Sequence, residues 1–328
     1  MADVYFAPSV FLNHGGGPYP VLREKYNVEI GDALVNVSNY VNLDRLKAIV
    51  IVTAHRQEDV VTISSGERHS LLYDYYNFPP ESYEFKYDAP GIILFKFIYV
   101  LKIFVPIYLY QSKLGTSALL FKPVGTRMKL NNGNSTFDTE MIYLTGDPVL
   151  ARRIHDAFRN AGIKSALDDK RGWDHGVFIP MMLINPKADI PIIQISILNN
   201  QNATQHYAMG KVLYEFRKEG IAIFGSGLSY HNMREIQKAK TEIEKEIVNE
   251  EFDNFLNNVC TGDAENRKKI MFWDQQAGGL DSHPIGEADH LMPLIVNAGA
   301  GGTRPGKKMF ESVFLGKFKL SGFMWDGE

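Results

Sequence analysis

The chain has 328 residues, room for one large α/β domain or two small ones. Hydrophobic residues make up 45% and charged residues 22%, as in soluble globular proteins, and a net charge of −3 gives no footing for nucleic acid or an anionic membrane surface. The single cysteine, Cys260, excludes a disulfide framework and a thiolate metal cluster, so histidines and carboxylates must supply any metal ligands and a reducing, cytoplasmic setting fits. Met1-Ala2-Asp3-Val4-Tyr5 lacks a basic start followed by an apolar core, so no signal peptide is expected.

Residues 8–14 read as a short buried strand that ends at His14 and runs into Gly15-Gly16-Gly17, a turn that lets the backbone pass close to a bound group. A first helix is expected around Gly31 to Tyr40. Residues 46–54 form the clearest strand, a β-branched apolar run bounded by charge and ending just before His55. A near-continuous apolar run suits a central strand buried on both faces. Residues 59–90 read as another strand and a ring-rich loop, Tyr73-Asp74-Tyr75-Tyr76-Asn77-Phe78-Pro79-Pro80. Such a loop either covers the core or walls a flat aromatic ligand.

Residues 92–146 stand apart from their surroundings. Ile92 to Tyr110 has the length of a marginal membrane helix, but Lys96, Lys102 and Pro106 interrupt it and argue against a span. The segment is either a true insertion or an intron translated in frame, the reading preferred here. The flanks join as Asp88-Ala89-Pro90-Gly-Asp147-Pro148.

After Pro148, apolar residues at helical spacing predict a helix ending near Gly162. Gly172-Trp173-Asp174-His175-Gly176 opens a turn before the apolar run Val177 to Ile184. Pro191 to Leu198 reads as a strand, His206 to Glu219 as a helix, and Ile221 to Phe224 as a strand leading through Gly225-Ser226-Gly227 to His231. Residues 234–259 read as one long charged surface helix. Helices near 264–271 and 286–298 and a strand pair at 310–325 follow. Alternating strands and helices predict one layered α/β domain with a mostly parallel or mixed sheet flanked by helices. Ligands in such folds sit beyond the carboxyl ends of the strands.

His14, His55 and His231 all follow apolar β-type runs, which places three of the nine histidines at that edge. Strand-end histidines can simply be hydrogen-bonded there. As a metal site, an all-imidazole set suits zinc, iron, copper or nickel rather than magnesium or calcium, and three ligands leave positions open for substrate. His175 is either a fourth ligand or an acid/base group, and crowding by a fourth imidazole favours the second role. His283 and His290 are expected to orient substrate or to support the ligands. His69, His155 and His206, on surface or helix positions, read as structural.

Asn13-His14-Gly15-Gly16, Thr53-Ala54-His55, the loop 73–79, Tyr87 to Gly91, Gly172 to Gly176, Gly225-Ser226-Gly227 with His231-Asn232, and His283-Pro284 with His290 together resemble the DODA-type extradiol ring-opening dioxygenases of the class III, LigB-like superfamily. The resemblance runs in order along nearly the whole chain, except 92–146. It implies a non-haem Fe(II) enzyme, with zinc possible at the same site, that opens a catechol such as DOPA beside its diol with O2 to a muconic semialdehyde. It implies His14, His55 and His231 as ligands and His175 as the acid/base, with His231 standing where the wider superfamily has glutamate. The aromatic loop, through Tyr75 and Phe78, would wall the substrate ring. A zinc hydrolase using the same histidines and a metal-binding relative without turnover are the alternatives. Monomer and homo-oligomer are both compatible with the sequence.

The intron reading is checked by the genomic sequence. It is expected to show G|GT at the codons of Gly91-Ile92 and CAG|G at those of Thr145-Gly146, so that excision rebuilds one glycine codon; absence of these splice dinucleotides refutes it.

Overall fold

The computed structural model describes residues 5–87, 146–241 and 246–327, with the backbone of 127–131 and 134–138. An eight-stranded mixed sheet is built from β1 (Ser9–Asn13), β2 (Ala48–Glu58), β3 (Val61–Ser64), β6 (Ser165–Asp168), β7 (Ile192–Leu198), β8 (Ile221–Gly227), β9 (Lys307–Phe314) and β10 (Phe318–Trp325). Strands β4 (Arg127–Asn131) and β5 (Asn134–Asp138) form a separate antiparallel pair. The order in the large sheet is β6-β3-β7-β2-β8-β1-β10-β9. The four middle strands β7, β2, β8 and β1 run parallel, and β10 and β9 close one side antiparallel. The expected mixed α/β layering is what the chain adopts. The proposed origin of 92–146 concerns residues that lie outside the described ones, apart from the backbone of β4 and β5 and Gly146.

The helices are α1 (Tyr19–Leu22), α2 (Val28–Val35), α3 (Pro148–Asn160), α4 (His175–Ile184), α5 (Ala203–Arg217), α6 (Met233–Ala239), α7 (Glu250–Thr261), α8 (Ala264–Arg267), α9 (Gly279–Ser282) and α10 (Met292–Gly299). They cover both faces of the sheet, giving two apolar clusters. Central strands therefore need apolar residues on both sides, which is why β2, β7 and β8 read as runs rather than alternations. None of the helices among the described residues is long and apolar enough to cross a membrane.

Some elements depart from the sequence reading. The first long helix begins at Val28 and ends at Val35, followed by a 3-10 turn over Asn36–Asn39. The apolar run after His175 is a helix whose residues are nearly all buried. The expected helix over 234–259 is divided into α6 and α7. Its charge pattern favours helix throughout, but tertiary bonds win. Val248 N donates to Lys317 O (3.1 Å), and Asn249 exchanges two bonds with the backbone of Lys319 (2.9 and 2.8 Å). His69 and His206 are buried rather than on the surface, and His155 bonds Ser165 Oγ at 2.9 Å. His69 stacks on Trp173 with ring centroids 5.5 Å apart.

Arg217, at the end of α5 and fully buried, ties three chain segments together. Its guanidinium donates to the carbonyls of Ala7 (2.7 Å), Ala300 (2.5 Å) and Trp325 (2.6 Å). Burial and the nearby Arg267 push its pKa down to about 9, and the three carbonyl dipoles stand in for a carboxylate. Removing a partner leaves each carbonyl buried and unsatisfied, at about 1–3 kcal/mol apiece. Arg217→Met is expected to lower unfolding free energy by at least ~3 kcal/mol in urea melts, and a loss below ~1 kcal/mol refutes this tie.

His206 gives a pH signature. Its Nδ1 donates to Asn202 O (2.8 Å) and its Nε2 accepts from Leu198 N (3.0 Å), so a second ring proton would oppose the Leu198 N–H. Burial depresses its pKa from 6.5 to about 4. The unfolded chain then binds the proton first as pH falls. Stability is full above 6.5 and is lost between there and about 4. From pH 6.5 to 5 the expected loss from this residue is roughly 2 kcal/mol. His206→Gln, which keeps an acceptor without titrating, should flatten that part of the urea-melt pH profile.

Candidate active site

Register places the site. Asn13 of β1 pairs with Gly227 of β8, and Thr53 of β2 pairs with Ser226. The carboxyl ends of β1, β8 and β2 therefore lie level, and the residues after them share one crevice. His14 follows β1 directly. His55 is not beyond β2 but within it, where the pairing to β7 jumps from Thr53 to Gln57. This bulge turns His55 into the crevice. The buried Arg56 pairs with the partly exposed Asp168 (2.5 Å) and so anchors the bulge. Gly227 is obligatory for a packing reason: a Cβ there would lie 2.1 Å from the carbonyl oxygen of His290. Leu228 N donates to that same carbonyl (3.1 Å), which fixes the His290 loop over the end of β8.

The crevice gathers five imidazoles. His14 Nε2 faces His55 Nε2 at 3.1 Å. His175 lies on one side of this pair, its ring centroid 3.8 Å from that of His55. His290 lies on another, 5.1 Å from His14 and 4.9 Å from His55. His231 stacks on His290 at 3.6 Å. Donor atoms of His14, His55 and His290 all fall within 4.8 Å of one another, as do those of His231, Asp289 and His290, and those of His55, Asp74 and His175. The imidazole nearest the His14–His55 pair in this sense is thus His290, expected in a supporting role, with His231 behind it. His283 does not line the crevice. It is buried against Phe252 and Trp273, and its Nε2 donates to Ser229 O (3.0 Å).

Neighbouring groups set the tautomers. Ser226 Oγ donates its one proton to Gly176 O, so it accepts from His14 Nδ1–H (2.9 Å) and leaves the lone pair of His14 on Nε2. His290 Nδ1 meets Asp289 Oδ2 at 3.0 Å. His175 Nδ1 meets Asp74 Oδ1 at 2.9 Å, and the same oxygen accepts the His175 backbone N–H at 2.8 Å. Asp74 thereby caps the start of α4, where a negative charge is favoured. Helix α4 reaches this position because Gly176 passes under Thr53, where a Cβ would lie 2.4 Å from Oγ1. Thr53 Oγ1 in turn donates to Asp174 Oδ1 (2.8 Å), and Gln194 Nε2 holds the other oxygen.

Electrostatics favour the neutral form of His14, His55 and His231. Burial, then the neighbouring imidazoles, hold His14 and His55 well below the ordinary histidine range. Burial and His290 bring His231 down to about 3. Burial would raise the Asp74 carboxyl, but the hydrogen bond and charge of His175 outweigh it and keep it ionised. His231 Nδ1 is buried with no hydrogen-bond partner among the described residues. Converging neutral nitrogens, one of them orphaned, fit a borderline transition metal with imidazole ligands.

The ring-rich loop forms the adjacent wall. Leu72 N donates to Trp173 O (2.7 Å) and Trp173 N to Ser70 O (2.9 Å), so the loop is tied to the turn bearing His175. Tyr75 packs its ring edge on His175 (5.8 Å) and spends its hydroxyl on Ser82 O (2.6 Å). Phe78 packs on Tyr19 (4.8 Å) and against Gly17, so the glycine turn receives a side chain of the protein itself as well as lining the crevice. Asp74, Asp289 and Ser226 were missed as site residues by reading the sequence. Asp74 sits in the ring-rich loop and Asp289 beside His290, and adjacency to a candidate was the available signal.

A family model described as the catalytic LigB subunit of aromatic ring-opening dioxygenase matches residues 126–317, beginning inside the segment 92–146. The dioxygenase tasH of Hapsidospora irregularis is 30% identical over 98% of this chain and 86% of its own length. The 4,5-DOPA dioxygenase extradiol of Mirabilis jalapa is 25% identical over 90% of this chain and 87% of its own. The Escherichia coli (strain K12) protein of the same name is 25% identical over 95% and 92%. A crystal structure of an uncharacterised Escherichia coli K12 protein superposes with a TM-score of 0.63 at 22% identity, covering 97% of this chain and 99% of that one, and shares its fold.

Proposed function

The chain belongs to the LigB family of aromatic ring-opening dioxygenases, and we propose that it opens a catechol ring beside its diol with O2, giving a muconic semialdehyde. The observation that carries this reading is the meeting of neutral imidazoles with an Asp74–His175 dyad in an aromatic-walled crevice. The names of the Mirabilis jalapa and Escherichia coli relatives make DOPA the first catechol to try. We take residues 1–328 as one catalytic domain interrupted by 92–146.

In this proposal His14, His55 and His231 hold iron(II), and zinc can take the same donors. The metal, when bound, makes the catechol hydroxyls more acidic and activates O2 toward the ring. His175 supplies the proton chemistry. With Nδ1 engaged by Asp74, its Nε2 is the nitrogen left to take a hydroxyl proton and later return it. The ionised Asp74 stabilises the imidazolium between those two events. Tyr75 and Phe78 flank the ring and keep water from it.

Anaerobic loading with iron(II), followed by a catechol and O2, is expected to consume O2 and give a yellow semialdehyde. Turnover without O2 would instead mark a zinc hydrolase, and neither signal would mark a metal binder without turnover. His175→Ala should cut ring opening by ~10²–10⁴ while iron stays bound; loss of iron makes it a ligand. Asp74→Asn should cost ~10- to 100-fold. His231→Ala should reduce bound iron at least tenfold, and an equal loss in His290→Ala alone would move the third ligand to His290.

A further inference from the structure

The cavity in front of the histidines measures about 690 Å³. That lies within the ~300–1,000 Å³ of pockets that enclose drug-sized ligands, and a bare catechol would fill a small part of it. Its floor is imidazole. Beyond the floor it is lined from α2, α6, the β8 exit and the β9–β10 hairpin by Ile30, Leu228, Ile236, Phe314, Leu315 and Leu320. Apart from Phe314, these side chains are buried members of one apolar cluster, so packing holds the wall in place. Of the charged groups along the cavity, the two carboxylates are engaged within the protein, and Lys240 lies one turn beyond Ile236 of α6. Asp74 bonds His175. Glu24 Oε2 accepts from Tyr26 N and Asn27 Nδ2 (3.0 Å each). Lys240 is solvent-exposed at the C-terminal end of α6. An ammonium or a carboxylate seated among Ile30, Leu315 and Leu320 themselves would lose its water without gaining a partner from those side chains.

We infer that the substrate is a catechol bearing a large apolar substituent, an alkyl chain or a second carbocycle, seated against this wall, rather than one bearing a free amino-acid group. The inference rests on the ring-opening reading of the histidine floor. The histidines take the diol end, and the aliphatic arm selects what the ring carries.

Iron(II)-loaded protein, kept anaerobic, is titrated calorimetrically with catechol, 4-ethyl-, 4-butyl- and 4-hexylcatechol and with 3,4-dihydroxyphenylalanine. Affinity should rise about fourfold per added methylene, with the amino acid weaker than 4-ethylcatechol. Ile236→Phe and Ile30→Phe, which fill the arm from two helices, should each flatten that gradient. A flat series in the unaltered protein, or tightest binding of the amino acid, overturns the inference. Admitting O2 then separates the two readings. A chain-length gradient without O2 uptake or semialdehyde leaves the apolar arm standing and removes ring opening. Ring opening without a gradient does the reverse.

Discussion

The site depends on one constraint: β1, β8 and β2 must pair in parallel and end level. Backbone groups of strands buried on both faces have no water to turn to, so each must find a ladder partner. The pairs Asn13 with Gly227 and Thr53 with Ser226 follow from that requirement. Once they form, His14, the bulge carrying His55 and the loop carrying His231 share an edge. A one-residue slip would turn every side chain of a strand to its other face. Asn297 of α10 guards the arrangement by donating to Ser9 Oγ and Ile223 O (2.9 Å each), joining β1 to β8.

A second principle orders the imidazoles after they meet. Five rings in one crevice could adopt many protonation patterns. Ser226, Asp74 and Asp289 reduce them by engaging the Nδ1 of His14, His175 and His290. What remains toward the crevice is the other nitrogen. The depressed basicity of His14, His55 and His231 works in the same direction, because a neutral imidazole is a ligand and a cationic one is not. His175 is held by the ionised Asp74 at 2.9 Å, as His290 is by Asp289 at 3.0 Å, and in the proposed role that carboxylate would stabilise a protonated His175 ring.

Buried polar groups elsewhere are tied into networks. Arg217 spends its donors on three carbonyls from distant segments. Asp174, fully buried and pushed up by burial and by Asp74, is held by Thr53 and Gln194. Asp174 adjoins His175 and bonds Thr53 of β2, so it braces the elements that carry His55 and His175, whereas Arg217 acts at the opposite edge of the sheet, before the starts of β1 and β8.

The sequence by itself determined the layered α/β class, the central strands and the edge where the candidate histidines collect. Those properties are local: apolar runs, breakers and the residue after each run are set within a few positions. It also picked out the five imidazoles of the crevice: His14, His55 and His231 follow apolar runs, His175 lies in a glycine-flanked turn, and His290 entered only as a supporting candidate. The tertiary structure alone decided their mutual arrangement: His290 beside the His14–His55 pair, His231 stacked behind it, His283 turned into the core, and Asp74 on His175. It also decided the bulge in β2, the division of the 234–259 region and the aliphatic arm of the cavity. These outcomes depend on contacts between residues far apart in the chain. Their free energies compete with local propensity and leave no periodic trace in the sequence.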